Sequence, residues 1–472
     1  MYCPAQSSLI WRRCFDDSRD RAACDTWKLL DFPRHRDTIV ELLLQPPSDS
    51  GKSVSPWSRP SAWLREKNLS RDFWMFFTIA FFYDAGFAVY VFLFNLYLSD
   101  SGFGERTIGL VGGALTLGSL LGTLPTGILA RKLGLRRVLV FCLVAAPLMS
   151  VMRTLWMWEG AQIGLAFLAG LAMSTWGVCF LSAVGGLTNE KNRASAFSLI
   201  FSVSIGTSAL GGVVCGYLPK WLRMAGITMR AADLERMILL AACGVAFVGL
   251  VPALCLRVPA PSGEAASAEA RPSSQSWFRQ WRPDPFLVRF LPLMALWSAI
   301  LAAFTPFANV YLARDLHIPL TRIGFIFSAV QVVQLCLGLL TPVVFRLLGL
   351  INGIVAIQIA AAVALASMAG VRNEGLAVVF YLTFSAAQWM SSPGLYNLLM
   401  SETPDKERTT AAAMTLFCNS LAGSIATAGA GILFARFGYP PVLMGIAAVA
   451  MVVAILFRTL IAPQSRNVAM QP

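Results

Sequence analysis

The chain has 472 residues, 56% of them hydrophobic and only 13% charged, with a formal net charge of +13. So little charge cannot cover a soluble protein of this length, and apolar runs of spanning length place the chain in a bilayer as an all-α membrane protein. On such a protein an excess of Lys and Arg first reports which side of the membrane a loop lies on, so no nucleic-acid partner is expected.

Of the ten cysteines, Cys142, Cys179, Cys215, Cys243, Cys255, Cys336 and Cys418 sit in apolar runs, where cysteine behaves as a small hydrophobe. Cys3, Cys14 and Cys24 lie in a polar tail. Neither His35 nor His317 stands in a constellation. There is no nucleophile–base arrangement, no phosphate loop and no metal-ligand spacing. The chain is therefore expected to be no enzyme and to need no cofactor or metal.

Residues 1–72 are expected to be a cytoplasmic tail, poorly ordered up to about residue 55. Their charged start is not followed by the apolar core of a signal peptide, and the run 39–44 is too short to span. The sequence leaves open whether residues 1–55 are native or reflect a start assigned too far upstream. Within the tail, residues 57–72 form an interfacial anchor. Trp63-Leu64-Arg65 suits the headgroup layer, with the ring in the boundary and the guanidinium in water, and it recurs as Trp277-Phe278-Arg279.

Six apolar segments follow, at 73–98, 107–130, 137–156, 161–187, 194–218 and 235–256. A linker at 257–285, rich in Pro, Ala, Ser and Glu, is too polar to enter the bilayer. Six more segments run at 286–312, 321–345, 350–371, 376–400, 410–436 and 439–460, and a short tail closes the chain at 461–472. This organisation gives a first bundle at 73–256 and a second at 286–460.

The halves repeat each other. Residues 95–137 are written again at 309–350. Asn95 and Asn309 lie 214 positions apart (309 − 95), whereas Ile108 and Ile323, Arg131 and Arg346, and Gly134 and Gly349 lie 215 apart. One residue inserted in the connecting loop explains the slip. Such a period is a statement about architecture.

Orientation follows from the short loops. If the N-terminus is inside, the inner loops hold Arg131, Lys132, Arg136 and Arg137, then Lys191 and Arg193, then Arg346, then Lys406 and Arg408. This majority puts both termini in the cytoplasm. One outer loop breaks the rule with Lys220, Arg223 and Arg230, beside Asp233 and Glu235, and is expected to be a surface amphipathic turn.

Residues 127–137 (GILARKLGLRR) resemble the cytoplasmic loop between helices 2 and 3 of the major facilitator superfamily. Residues 404–408 (PDKER) look like that family's helix 10–11 turn, and Asn192-Arg193-Ala194 like its counterpart after helix 4. The resemblance covers about 73–460. It implies the family's fold, two pseudo-symmetric bundles of six helices, and that helices 2 and 11, and 5 and 8, meet across the bundles. The family usually has an acid where this chain has Arg131, so the usual cytoplasmic latch is altered. Glu190 and Glu402 stand in a position to supply acids instead, facing Arg131 or Arg136 and Arg346, with Arg193 and Arg408 in the paired loops. The plain alternative is that these seven charges stop helices at the interface and set topology. Residues 206–212 also lack the Gly-Pro pair of the family's antiporter branch, which weighs against an antiporter.

Helices in lipid approach closely only over small residues. Candidate stripes are Ala114, Gly118 and Gly122, then Ser208, Gly212 and Gly216, then Gly423, Thr427 and Gly431. They serve either the cross-bundle contacts or packing within a bundle.

Asp84 is the deep acid of the chain, set among Phe81, Phe82 and Tyr83. A bare carboxylate at that depth costs a few kcal/mol or more, so it needs water, a partner or a proton. By helical spacing Asp84, Ala88 and Asn95 share a face. Ser298, Thr305 and Asn309 form the matching face one repeat later, with Ser298 as Asp84's counterpart. Gln331, Gln334, Gln388 and Asn419 are further polar groups in apolar runs, Tyr381, Ser385 and Ser392 share a face with Gln388, and Trp176 and Trp389 are candidate cavity walls. The functional account is a wet central site in which Asp84 binds a cationic solute or carries a coupled proton. The structural alternatives are an Asp bonded to a neighbouring helix, polar groups that tie helices together, and tryptophans that face lipid. With one deep acid and no deep Lys or Arg, the solute is expected to be neutral or cationic.

The sequence thus points to a monomeric multi-pass protein of the cell membrane whose partners are the lipid bilayer, a small-molecule substrate and protons. Proton-linked export of amphipathic compounds leads. Uptake of a sugar or other nutrient is the rival within the class, and a sensor or lipid-handling protein of transporter shape is the rival outside it.

Overall fold

A computed structural model describes residues 69–226, 229–256, 285–404 and 407–461. The polar tail with its anchor motif, the linker and the C-terminal tail expected from the sequence lie outside the described residues.

Helix α1 (Arg71–Asp100) starts under Ser70, whose hydroxyl oxygen accepts from the Phe73 N–H at 3.1 Å. Helices α2 (Glu105–Leu133) and α3 (Leu135–Leu155) are separated by Gly134 alone. Its φ of +85° is a conformation that a side chain would strain. Then come α4 (Glu159–Gly186), α5 (Glu190–Met224) and α6 (Ala231–Val248), the last continuing past Gly249 as Leu250–Cys255.

The second half opens with α7 (Pro285–Phe304). Helices α8 (Leu320–Leu348) and α9 (Leu350–Gly370) are again joined by one glycine, Gly349, at φ +79°. Helices α10 (Glu374–Glu402), α11 (Arg408–Phe437) and α12 (Tyr439–Leu460) complete it. Eleven of the twelve segments are long and apolar enough to cross a membrane. The remaining one, α10, is as long as the others, but Tyr381, Ser385, Gln388, Ser391 and Ser392 lower its hydropathy.

Two expectations for the loop after α5 need correction. Helix α5 runs on to Met224 rather than ending at 218, so positions 220 and 223 lie within the helix and not in a loop. Glu235 is no surface residue either: it lies inside α6 and is 4% exposed.

Helix α7 breaks where α1 does not. Pro306 begins no hydrogen bond of its own, and the chain passes through a 3-10 turn (Thr305–Phe307), a helical turn (Ala308–Val310) and a π turn (Tyr311–Asp315). The Ala302 carbonyl, four residues before Pro306, takes the hydroxyl of Thr427 from α11 at 3.0 Å instead.

In the first bundle α2 packs on α4, α1 on α5 and α6, and α3 on α4; in the second, α9 packs on α10 and α12, α7 on α11, and α8 on α10. The repeat extends to individual bonds. Tyr97 Oη donates to Thr154 O at 2.9 Å, and Tyr311 Oη to Met368 O at 3.3 Å. Ser119 Oγ donates to Gly170 O at 3.2 Å, and Gln334 Nε2 to Ser385 O at 3.3 Å. Thr107 bonds Glu159 at 3.1 Å, and Arg322 bonds Glu374 at 3.2 Å. Every partner lies 214 or 215 positions from its counterpart.

Across the bundles α2 meets α11 and α5 meets α8, as the resemblance implies. A Cβ on Gly109 would fall 2.7 Å from Gly431 Cα, and one on Gly324 would fall 2.3 Å from Gly212 O and 2.8 Å from Gly216 Cα. Of the stripes, Gly212 and Gly216 thus serve the α5–α8 contact and Gly431 the α2–α11 contact. Gly118 and Gly122 instead face Phe167, Leu171 and Ser174 of α4, so that stripe packs within its bundle. The α2 residues that meet α11 include Glu105, Gly109, Gly112 and Gly113. The cross-bundle approaches lie toward the end of the 100–105 and 315–320 links. Toward the other end, Gly206 of α5 and Gly338 of α8 face open space.

Candidate functional site

Asp84 sits mid-way along α1, half-buried, and accepts a hydrogen bond from the hydroxyl of Ser204 on α5. Tyr83 stands behind it, 3% exposed, with its ring 4.2 Å from that of Trp176 on α4. Trp176 also stacks on Phe76 at 6.0 Å. Both rings therefore belong to the core of the first bundle, and they brace the stretch of α1 that presents the carboxylate.

One repeat later the same place holds a second polar pair. Ser298 on α7 is 214 positions after Asp84, and Asn419 on α11 is 215 after Ser204. Ser298 Oγ donates to Asn419 O at 3.2 Å. Here the pair borders a cavity of about 210 Å³, lined by Met294, Trp297, Ser392, Leu395, Tyr396 and Leu416 as well. Trp297 is held by a bond from its Nε1 to Ser391 Oγ at 3.1 Å. Asn419 Oδ1 is buried and has no hydrogen-bond partner among the described residues. An unmet buried acceptor is costly, so a donor that reached it when the wall moves would be held.

The other sequence candidates fall into three groups. Trp389 is exposed and precedes Ser392 and Tyr396 by three and seven positions, so it shares the cavity face of α10. Gln331 and Gln388 are half-buried, while Gln334 spends its amide on Ser385, inside the second bundle. Asn95 and Asn309 do not reach the cavity with their amides. Asn95 Nδ2 donates to Pro306 O at 2.7 Å, and Asn309 Nδ2 donates to Phe92 O at 3.0 Å. Both bonds cross between bundles at the closed end. There Ser424 also donates to Gly113 O at 2.7 Å, Ser328 to Ala209 O, and Arg314 to Ser99 O.

At the opposite end, Arg136 reaches back to the Leu254 carbonyl within its own bundle. Arg408 Nε caps α10 through Met400 O at 2.9 Å and Thr403 O at 3.2 Å. Arg193 and Arg346 are exposed and Glu402 is half-buried. The side chains of Arg131 and Glu190 lie outside the described residues.

Sequence reasoning missed Ser204 and Tyr396. It also held that no deep cation exists, yet Arg153 of α3 is 4% exposed, with its guanidinium 4.1 Å from the centre of the Phe94 ring. Arg153 stands near the end of the apolar segment 137–156, where the sequence pattern does not distinguish a buried cation from an interfacial one. The signal for Ser204 was the repeat period itself, since Asn419 had already been singled out.

The sequence matches the family model described as Major Facilitator Superfamily over residues 76–427. The structure of the nucleoside transporter NupG is similar at 17% identity and a TM-score of 0.67, covering 83% of this chain and 99% of that one. That of a D-xylose–proton symporter is similar at 14% identity and 0.63, covering 82% and 96%. A bacterial homologue of the human lysosomal transporter Spinster, inward-facing and occupied, matches at 12% identity and 0.62, covering 88% and 98%. Identities this low speak for the fold. A search of curated proteins finds no match.

Proposed function

Because the chain belongs to the major facilitator superfamily, we propose that it is a proton-coupled secondary transporter that moves small neutral or cationic solutes by alternating access. The observation that carries this is the doubled polar pair, Asp84–Ser204 and Ser298–Asn419, set behind a mouth that is shut at one end. Asp84 takes up the coupled proton or the positive charge of the solute. A half-buried carboxylate with a single hydroxyl partner gains most from such a counter-charge. Asn419 Oδ1 and the hydroxyls of Ser298, Ser392 and Tyr396 orient the solute from the second bundle.

Both termini are cytoplasmic in this scheme, the shut mouth faces outward, and the protein works in the cell membrane. Amphipathic compounds are exported, with the aromatic and aliphatic walls taking their apolar parts. Uptake of a sugar-like nutrient is the second possibility, favoured by the hydroxyl and amide lining of the cavity.

The test is flux of a panel of labelled solutes in proteoliposomes, with and without a pH gradient and an uncoupler, for the native chain and Asp84→Asn. Uncoupler-sensitive accumulation that Asp84→Asn loses, with downhill exchange kept, supports the scheme. Unchanged accumulation in the variant removes Asp84 from coupling. No flux of any solute at any pH, with lipid or protein binding intact, moves the chain to the non-transporting class.

A further inference from the structure

Asn95 and Asn309 occupy equivalent places in the repeat, and so do the carbonyls they hold. The two asparagines are 214 positions apart, and so are the acceptors Phe92 and Pro306 (309 − 95 and 306 − 92). Each amide therefore crosses the gap to the carbonyl three residues before the other amide. The result is a closed exchange of two hydrogen bonds between α1 and the broken turns that follow α7, at 2.7 and 3.0 Å. Phe92 itself is fully buried, its ring 5.1 Å from that of Phe327 on α8, so the exchange sits beside an apolar seal.

We propose that Asn95 and Asn309 are positioning residues that clasp the mouth on the loop side and set how often it opens, and that neither is a solute ligand. Both donors and both acceptors are neutral, so the clasp holds at any pH the protein meets. Protons then act on the cavity and not on the closure. Because each bundle moves as a unit, opening breaks both bonds together, and water takes over the four groups. The net worth of one such bond corresponds to about a fivefold shift in the open-to-closed ratio, and the pair to about 25-fold.

The proposal rests on alternating access, but its test needs no solute. Hydrogen–deuterium exchange is followed on the full chain in lipid nanodiscs, for Asn95→Ala, Asn309→Ala and the double variant. Asn95→Asp and Asn309→Asp are added because they keep the size and lose the donor. Peptides over residues 92–100 and 306–315 should exchange faster in every variant, by similar amounts in the two singles and by about their product in the double. Peptides from α9, inside one bundle, should not change. Unchanged exchange at 92–100 and 306–315 overturns the clasp. So does a rise that includes α9 in the Asp variants, since the amides would then hold the fold and not the mouth. The clasp can fail while transport stands, and it can stand in a chain that carries nothing.

Discussion

Helices α1 and α7 hold the same station in the two halves, yet they are built by different rules. Helix α1 runs unbroken from Arg71 to Asp100 and presents a carboxylate. Helix α7 breaks at Pro306, leans on Thr427 to satisfy the broken turn, and presents a serine where α1 has its acid. Both donate an asparagine amide across the gap. Under the proposed function, the shared geometry sets how the mouth shuts, and the differences divide charge chemistry in the first bundle from neutral recognition in the second.

The largest test of this division is Asp84→Asn against Ser298→Ala. Loss of the charge should cut gradient-driven flux by about tenfold to a hundredfold, the usual worth of a hydrogen bond to a charged group. Loss of the serine hydroxyl should change half-saturation by only about fivefold. Equal effects would mean that the two stations share one role.

Next come the glycines. A side chain on Gly109 or Gly324 collides with backbone of the other bundle, whereas one on Gly118 lands 2.1 Å from Phe167 O in its own bundle. Gly109→Val and Gly324→Val should disfavour the closed mouth by about 1–3 kcal/mol, seen as faster exchange at residues 92–100 and 306–315. Gly118→Val should lower thermal stability and leave that exchange alone. The reverse pattern would break the distinction between cross-bundle and internal contacts.

A smaller effect isolates the break in α7. Thr427→Val orphans the Ala302 carbonyl and should cost about 1–3 kcal/mol of thermal stability. In a Pro306→Ala background the restored N–H should cancel most of that loss. Additivity in this cycle would show that Thr427 serves something else. Smallest is Arg322→Ala: its partner Glu374 is exposed like itself, so the change should lie within about 1 kcal/mol, even though the equivalent Thr107–Glu159 bond recurs in the other half.

Much of the fold was legible because it is written twice. The period of 214 to 215 ties Tyr97 and Tyr311, Gly134 and Gly349, and the two polar pairs to common positions. Apolar length then placed the helices, α10 included at 376–400, although its polar face leaves it the least apolar of the twelve. The site was legible only in part. Polar residues in apolar runs are visible in a sequence, but their acceptors are not. Asn95 and Asn309 therefore looked like solute ligands, although their partners are backbone carbonyls some two hundred residues away. Ser204 is one of several serines on α5, and nothing in its own neighbourhood marks it. Arg153 escaped notice because burial near a segment end depends on which neighbours arch over it, here Phe94.

The one-residue joints at Gly134 and Gly349 carry a mechanical consequence. A single residue spans at most about 3.6 Å, so neither joint can store slack. The end of α2 and the start of α3, and likewise of α8 and α9, must therefore move together, so a shift of one helix is handed to the next at the joint.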